Sequence, residues 1–142
     1  MKTTTKIFLV DDNLFSLNLY QKALETTGYT DLSLFINGTA CLNNLSKKPD
    51  VIFLDHNMED LTGFEVLKKI KRFDPNIYVV IVSAQESMTT AVDALKYGAF
   101  DYIIKDENEL AKMKQVLIRI EYIQEEIKKA NPTFIQKVLS LF

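Results

Sequence analysis

The chain has 142 residues, which is the length of one ordinary domain. Hydrophobic residues make up 47% of it and charged residues 25%, as in folded proteins with a buried core. With 17 Lys and Arg against 19 Asp and Glu, the net charge of -2 argues against a free-standing nucleic-acid binder. The single cysteine, Cys41, excludes an internal disulfide and a cysteine-based zinc site.

The sequence also argues against a membrane protein. No apolar run approaches the roughly 18 residues of a membrane helix, and the apolar stretch after the polar start is too short for a signal peptide. We therefore expect a soluble protein of a reducing compartment, the cytoplasm, with no membrane contact. Cys41 precedes Leu42 and is interpreted as a small buried apolar residue.

Five apolar runs, rich in Val, Ile, Leu and Phe, follow one another at fairly even intervals. In chain order they are Ile7–Val10, Leu32–Ile36, Val51–Leu54, Ile77–Val82 and Phe100–Ile104. Most of them show little alternation with polar residues, which is typical of strands buried on both faces of a parallel sheet.

The segments between these runs have helical spacing. Two apolar stripes are formed by Leu14, Leu17 and Leu24, and by Phe64, Leu67 and Ile70. Two pairs have the spacing of a capping box, Thr62 with Glu65 and Asp106 with Glu109. They predict a helix running to about residue 72 and a long last helix over about 107–130. Gly28 and Gly98 follow helical segments, where a left-handed residue favours glycine.

Five strands alternating with five helices predict an α/β three-layer sandwich with right-handed crossovers. We expect a flavodoxin-like five-stranded parallel sheet in the order 2-1-3-4-5. Residues 1–130 then form one domain, and residues 131–142 form a short amphipathic C-terminal tail that is expected to be helical. Its apolar face consists of Phe134, Ile135, Val138, Leu139 and Phe142.

Polar residues end most of the apolar runs. Asp11 and Asp12 end the first, Asp55 the third, Ser83 the fourth and Lys105 the fifth. Ligands of open parallel sheets bind beyond the carboxyl ends of the strands, so these side chains are expected to converge. Three carboxylates need a counter-charge, and Mg2+ prefers oxygen ligands. Together with a lysine and a hydroxyl, such a site suits phosphoryl transfer.

The chain resembles the receiver domain of two-component response regulators over about residues 5–130. Four stretches carry the resemblance: Leu9–Asn13, Lys48–Asp55 with Met58 and Gly63, Val82–Ala84, and Ala94–Lys105. The resemblance implies a signalling domain and not an enzyme, one that assists only its own phosphorylation and autodephosphorylation. A histidine kinase or a histidine phosphotransfer protein would supply the phosphoryl group, as in a phosphorelay.

The resemblance also implies how the site is divided. Asp55 is the expected phosphoacceptor. Asp12 would bind Mg2+ (or Mn2+) directly, Asp11 would bind it through water, and the backbone carbonyl of Asn57 would be a further ligand.

By the same resemblance, Ser83 and Lys105 contact the phosphoryl group, and Tyr102 is the switch aromatic whose rotamer follows Ser83. The face of about residues 87–130 is then the surface for a downstream protein. A homodimer through that face or through the tail is possible, and direct contact with nucleic acid is not expected.

Three departures from the family pattern stand out. Asp106 replaces the proline that usually follows the lysine. A cis bond before a non-proline residue is costly, so this peptide is expected to be trans and the loop to be altered. Glu59 occupies a position usually held by proline and adds an acidic group beside the site. Gln85 and Asn57 are expected to tune the rate of dephosphorylation.

Alternatives remain open at this stage. The main one is a pseudo-receiver, an interaction module that does not use Asp55 for phosphotransfer. A dehalogenase-type phosphatase is disfavoured because Asp11 and Asp12 are adjacent, and a flavin module lacks a Gly/Ser/Thr-rich phosphate loop. His56 is interpreted as a partly exposed loop residue, and Asp60 as a solvated one.

Overall fold

The computed structural model describes residues 3–130 and 140–141. The strands are β1 Thr3–Val10, β2 Tyr29–Phe35, β3 Val51–Asp55, β4 Tyr78–Ser83 and β5 Asp101–Ile104. The helices are α1 Leu14–Glu25, α2 Gly38–Leu42, α3 Gly63–Phe73, α4 Met88–Lys96 and α5 Glu109–Ala130, with a 3-10 turn at Leu45–Lys47. The predicted tail lies almost wholly outside the described residues and stays a prediction.

The strands form one parallel sheet in the order β2-β1-β3-β4-β5, which confirms the predicted flavodoxin-like α/β fold. In the register of β1 with β3, Val10 pairs with Leu54. In the register of β3 with β4, Asp55 pairs with Val82. Residues that directly follow β1, β3 and β4 therefore meet at one edge of the sheet.

The core is divided into two layers by the sheet. Ile7 and Leu9 of β1 face the layer that contains α1 and α5. Phe8 and Val10 face the layer that contains α2, α3 and α4. Consecutive residues of a strand point to opposite faces, so a strand covered on both sides must be apolar throughout. This is the physical reason for the unalternated runs in the sequence.

The two capping-box predictions have different outcomes. At α3, Thr62 Oγ1 accepts the Glu65 N–H and the Glu65 carboxylate accepts the Thr62 N–H, so the box is confirmed. At α5 the prediction is wrong. Asp106 accepts the N–H of Asn108 instead, and the Glu109 carboxylate accepts the hydroxyl of Tyr20 at 2.6 Å.

The apolar stripe predicted for α1 is partly wrong as well. Leu17 and Leu24 are buried, but Leu14 lies at the start of the helix with 61% of its surface exposed. Gly28 and Gly98 have φ of 99° and 104°, which confirms the left-handed turns predicted after the helices. Cys41 is buried, as predicted. Within the described part of the chain, no helix combines the length and apolar character needed to cross a membrane.

Candidate functional site

An acidic cluster occupies the carboxyl edge of the sheet, where the sequence predicted it. Each of Asp11, Asp12 and Asp55 offers a carboxylate oxygen that lies within 4.8 Å of the others. Asp11 and Asp55 are buried, whereas Asp12 is exposed. Oxygen ligands that converge in this way from two buried carboxylates and one open to solvent fit a hard divalent cation such as Mg2+.

Local backbone bonds hold Asp11 in place. Its N–H donates to the carbonyl of Phe35 at the end of β2, and its carboxylate accepts the N–H of Asn13 at 2.9 Å. Asn13 in turn caps α1 by accepting the N–H of Ser16. The turn between β1 and α1 therefore keeps the Asp11 carboxylate at the sheet edge while the helix begins.

Lys105 connects the two buried carboxylates. Its Nζ lies 2.8 Å from Asp11 Oδ2 and 3.3 Å from Asp55 Oδ1. Its own N–H donates to the Ser83 carbonyl, which extends the pairing of β4 and β5 by one residue. Burial opposes the charge on Lys105, but the hydrogen bond to Asp11 and the charge of Asp55 raise its pKa. The lysine is therefore held as an ammonium between two carboxylates.

The charge balance at Asp55 is unfavourable. Burial and the neighbouring Asp11 carboxylate raise the pKa of Asp55 to about 6, against the opposing effects of Lys105 and the Asn57 N–H. Three carboxylates and one ammonium leave a negative excess at the cluster. A second positive charge at this position would stabilise the ionised form of Asp55.

Ser83 and Tyr102 are linked through the loop that follows β4. Ser83 is fully buried, and its Oγ accepts the N–H of Gln85 at 3.1 Å. The hydroxyl of Tyr102, on β5, donates to the Gln85 carbonyl at 2.8 Å. The predicted tuning residue Gln85 thus joins the two predicted switch residues through its backbone, a connection that its spacing from Ser83 did not reveal.

The remaining predicted residues lie on the loop between β3 and α3. Asn57 and Glu59 are both exposed. Glu59 lies beside Asp12 along an open cleft of about 440 Å³. The metal-binding role of the Asn57 carbonyl stays a prediction, as do the tuning roles of Asn57 and Glu59.

His56 agrees with its interpretation as a partly exposed loop residue. Its ring packs against Phe64 at 4.4 Å between ring centroids, and burial lowers its pKa. Gly63 approaches it so closely that a Cβ at this position would lie 2.7 Å from His56 Cα. In the neighbouring loop, the Lys105–Asp106 peptide is trans, since no peptide among the described residues is cis.

Asp60 has a structural task that the sequence analysis missed. It is exposed, as predicted, but its carboxylate accepts the N–H groups of Gly38 and Thr39 and the hydroxyl of Thr39. Burial alone would raise the pKa of Asp60, but the hydrogen bonds together outweigh it and lower the pKa to about 2. Asp60 therefore caps the start of α2, which lies 22 residues away in the chain. No local pattern predicts a contact over that separation.

Three comparisons relate this fold and site to known proteins. The chain is 41% identical to the transcriptional regulatory protein ZraR of Klebsiella oxytoca over 100 residues, which are 70% of this chain and 22% of that protein. It is 37% identical to the protein-glutamate methylesterase/protein-glutamine glutaminase of Clostridium acetobutylicum over 136 residues, covering 89% of this chain and 39% of that protein. It thus spans well under two thirds of either relative.

The solved structure of the signal receiver domain of a putative LuxO repressor protein from Vibrio parahaemolyticus has the same fold. The TM-score is 0.79 at 25% identity, and the match covers 89% of this chain and 98% of that one. A family model for the response regulator receiver domain matches residues 7–117. Since this match covers most of the chain and agrees with the strand order and the acidic cluster, the chain belongs to the receiver domains of two-component response regulators.

Proposed function

We propose that Asp55 accepts a phosphoryl group from a phosphohistidine on a histidine kinase or phosphotransfer protein. The observation that supports this most directly is the position of Asp55, which is buried next to Asp11 and 3.3 Å from the Lys105 ammonium, with its pKa raised to about 6. A carboxylate destabilised in this way gains more than an ordinary surface aspartate from a ligand that brings positive charge.

In the proposed reaction, a carboxylate oxygen of Asp55 attacks phosphorus. The bond between phosphorus and the donor imidazole breaks, the imidazole leaves with the electron pair and is protonated, and Asp55 becomes an acyl phosphate. Asp11, Asp12, Asp55 and the Asn57 carbonyl would hold Mg2+, or Mn2+ with the same ligand preference. When bound, this cation supplies positive charge to the phosphoryl oxygens. Lys105, whose Nζ lies 3.3 Å from Asp55, would add its ammonium.

The resulting switch runs through Ser83 and Tyr102. A phosphoryl group on Asp55 adds negative charge and acceptor oxygens, which attract Lys105 and the hydroxyl of Ser83. A shift of Ser83 would remove the acceptor of the Gln85 N–H, and Gln85 holds the Tyr102 hydroxyl. Tyr102 is then released to turn inward. The face of about residues 87–130 changes shape and binds a downstream protein or a second copy of the chain.

The phosphoryl donor is proposed to approach over the start of α1. Phe15 is 76% exposed, and Leu14 and Ile36 are also exposed beside the cleft that contains Asp12. An apolar surface next to an acidic site suits a helical partner that must place a histidine close to Asp55.

We further propose that the domain acts in the cytoplasm and turns over no substrate apart from its own acyl phosphate. In this account residues 1–130 are the receiver, residues 131–142 are a separate tail, and Asn57, Glu59 and Gln85 tune the lifetime of the phosphorylated form.

The test is intact-mass spectrometry after incubation with acetyl phosphate, with and without Mg2+. We expect one phosphoryl adduct on the wild type in Mg2+, and none after EDTA treatment or in Asp55→Asn. Asp50→Asn is the matched control, because Asp50 is an aspartate at the opposite end of β3. An adduct that persists in Asp55→Asn, or one independent of Mg2+, would contradict the proposal.

A pseudo-receiver is the second candidate, and the exposed Glu59 beside Asp12 favours it. Glu59 lines the same cleft as Asp12, and its negative charge opposes the approach of an anionic phosphoryl group. Titration with beryllofluoride separates the two candidates. Binding that requires Mg2+ supports the phosphorylated receiver. No binding in the wild type, restored by Glu59→Pro, supports the pseudo-receiver.

A further inference from the structure

Two tyrosines attach α5 to the rest of its layer by the same kind of hydrogen bond. The hydroxyl of Tyr20 donates to Glu109 Oε2 at 2.6 Å, and that of Tyr29 donates to Glu121 Oε1 at 2.5 Å. The tyrosines are equally buried, at 4% and 5% exposure. The two pairs thus have the same chemistry at different positions along one helix.

Only the Tyr20 pair lies next to the acidic cluster. Tyr20 is on α1, which begins two residues after Asp12, and Glu109 is the first residue of α5, four residues after Lys105. Burial and the bond to Glu109 raise the pKa of Tyr20, and the charges of Asp11 and Asp55 raise it further. The pKa of Tyr29 is raised by burial and Glu121 alone. Tyr20 is therefore close enough to the site to interact with the charges of Asp11 and Asp55.

Glu109 is a potential competitor for Lys105. The connection from Lys105 to α5 has only three intervening residues, and it is turned back by the Glu109 N–H bonding to the Asp106 carbonyl. Glu109 is therefore the acidic residue of α5 that is nearest to Lys105 along the chain. In the structure, however, the Lys105 ammonium contacts Asp11 and Asp55, and the Glu109 carboxylate contacts Tyr20.

We infer that Tyr20 is a positioning residue, which holds the Glu109 carboxylate on the α1 side so that Lys105 stays available to the phosphoryl group on Asp55. This inference rests on the proposed function. Without the Tyr20 hydroxyl, Glu109 loses its donor at a half-buried position and turns toward Lys105. Lys105 is then shared among three carboxylates.

The experiment measures Mg2+-dependent binding of beryllofluoride by calorimetry or 19F NMR. Tyr20→Phe is expected to weaken binding about tenfold. This is the lower end of the loss in affinity that follows when a residue orienting a metal ligand is removed. Tyr29→Phe is the matched control. It removes the same kind of tyrosine hydrogen bond to α5. We expect it to change binding less than about twofold, although both variants lower the urea midpoint of unfolding similarly.

A rescue experiment distinguishes positioning from simple loss of a helix contact. The double variant Tyr20→Phe/Glu109→Gln cannot restore the lost bond, but it removes the competing charge. We expect its affinity to return to within about twofold of the wild type. If the double variant binds as weakly as Tyr20→Phe alone, the inference is overturned. The same holds if Tyr20→Phe and Tyr29→Phe bind equally well.

The single variant Glu109→Gln keeps the test decisive if Tyr20→Phe does not fold. Its amide oxygen still accepts from Tyr20, so binding equal to or tighter than the wild type is expected, and weaker binding overturns the inference. A wild type that binds no beryllofluoride overturns the proposed function itself. A wild type that binds, with no difference between the tyrosine variants, overturns only the role of Tyr20.

Discussion

The helices α3 and α4 pack on the same face of the sheet, yet they are anchored very differently. α3 buries Val66, Leu67 and Ile70, and its start is fixed by the complete capping box at Thr62. α4, all of whose residues are described, buries only Ala94. Its exposed apolar residues are Met88, Val92 and Leu95.

This difference corresponds to the positions of the two helices relative to the site. The loop before α3 follows Asp55, whose geometry must be maintained for any chemistry. The loop before α4 contains Ser83 and Gln85, which carry the proposed signal. A helix that buries little apolar area opens at low free energy. The molecule thus combines a firmly packed helix behind the proposed phosphoacceptor with a weakly packed helix beside the proposed switch residues.

Matched leucine truncations should show the largest contrast. Leu67→Ala in α3 is expected to lower the free energy of unfolding by about 3 kcal/mol, because it removes a fully buried side chain and leaves a cavity. Leu95→Ala in α4 is expected to cost less than about 0.5 kcal/mol, since that side chain is already 52% exposed. Urea unfolding monitored by circular dichroism measures both. Equal losses would remove the distinction between the helices.

The pH dependence of stability should come from Asp55, the residue that ends β3. The pKa of Asp55 is raised to about 6 in the folded chain, above its value near 4 in the unfolded chain. The folded state therefore binds more protons between pH 4 and 6, and stability falls as pH rises through that window, by roughly 2 kcal/mol from this residue.

Asp55→Asn should flatten this part of the profile and make the protein more stable than the wild type at pH 7 without divalent cations. Ser83→Ala, at the end of the strand that leads to α4, is the control and should keep the slope. Unfolding midpoints between pH 4 and 7.5 provide the comparison, and an unchanged slope in Asp55→Asn would assign it to another group.

The N-caps should separate global from local stability. Thr62→Ala removes the capping box of α3 and is expected to lower the free energy of unfolding by about 1 kcal/mol. Ser87→Ala removes the bond that the Ser87 hydroxyl accepts from the Thr90 N–H at 3.3 Å. We expect Ser87→Ala to lower the free energy of unfolding by less than about half of the loss in Thr62→Ala. The reason is that α4 can open while the rest of the domain stays folded.

Hydrogen exchange supplies the matching local measurement for the caps. Amides of α4 should exchange faster in Ser87→Ala, while those of α3 stay unchanged. Faster exchange spread through the whole sheet would show instead that α4 unfolds only together with the core.

The smallest expected effect is the response to beryllofluoride. In Mg2+, its binding should change the exchange of α4 amides by about fivefold, as expected for a modest coupling free energy, and leave α3 within about twofold. Tyr102→Phe, which lacks the hydroxyl that bonds to the Gln85 carbonyl, should reduce the difference between the helices. A change in amide exchange confined to α3 would show that the conformational response involves α3 and not α4.

Much of the site could be predicted from the sequence because the relevant signals are local. The apolar runs that form β1, β3 and β4 are buried on both faces, so the first polar residue after each run marks a strand end. That rule predicts that Asp11, Asp55 and Ser83 lie at one edge of the sheet. The structure confirms that Asp11, Asp55 and Lys105 are in contact there. Their assigned chemical roles stay predictions.

Other parts of the site could not be predicted because they depend on residues far apart in the chain. Asp60 caps a helix that begins 22 residues before it. Leu14 has the spacing of a buried stripe, but it lies in the first turn of α1 and is 61% exposed among the residues that the structure describes. Gln85 joins Ser83 to Tyr102 through its backbone N–H and carbonyl, which any residue type except proline would provide.

The two capping-box sequences show most clearly where local information ends. Thr62 with Glu65 and Asp106 with Glu109 have the same spacing, and sequence alone assigns them the same structure. Only the first pair forms, because at the second the fold brings the hydroxyl of Tyr20 within 2.6 Å of Glu109. By itself the sequence determined the strands, their order and the polar residues that end them, through burial and chain-local geometry. The tertiary structure decided which partner each remaining carboxylate took, because the competing donors come from distant parts of the chain.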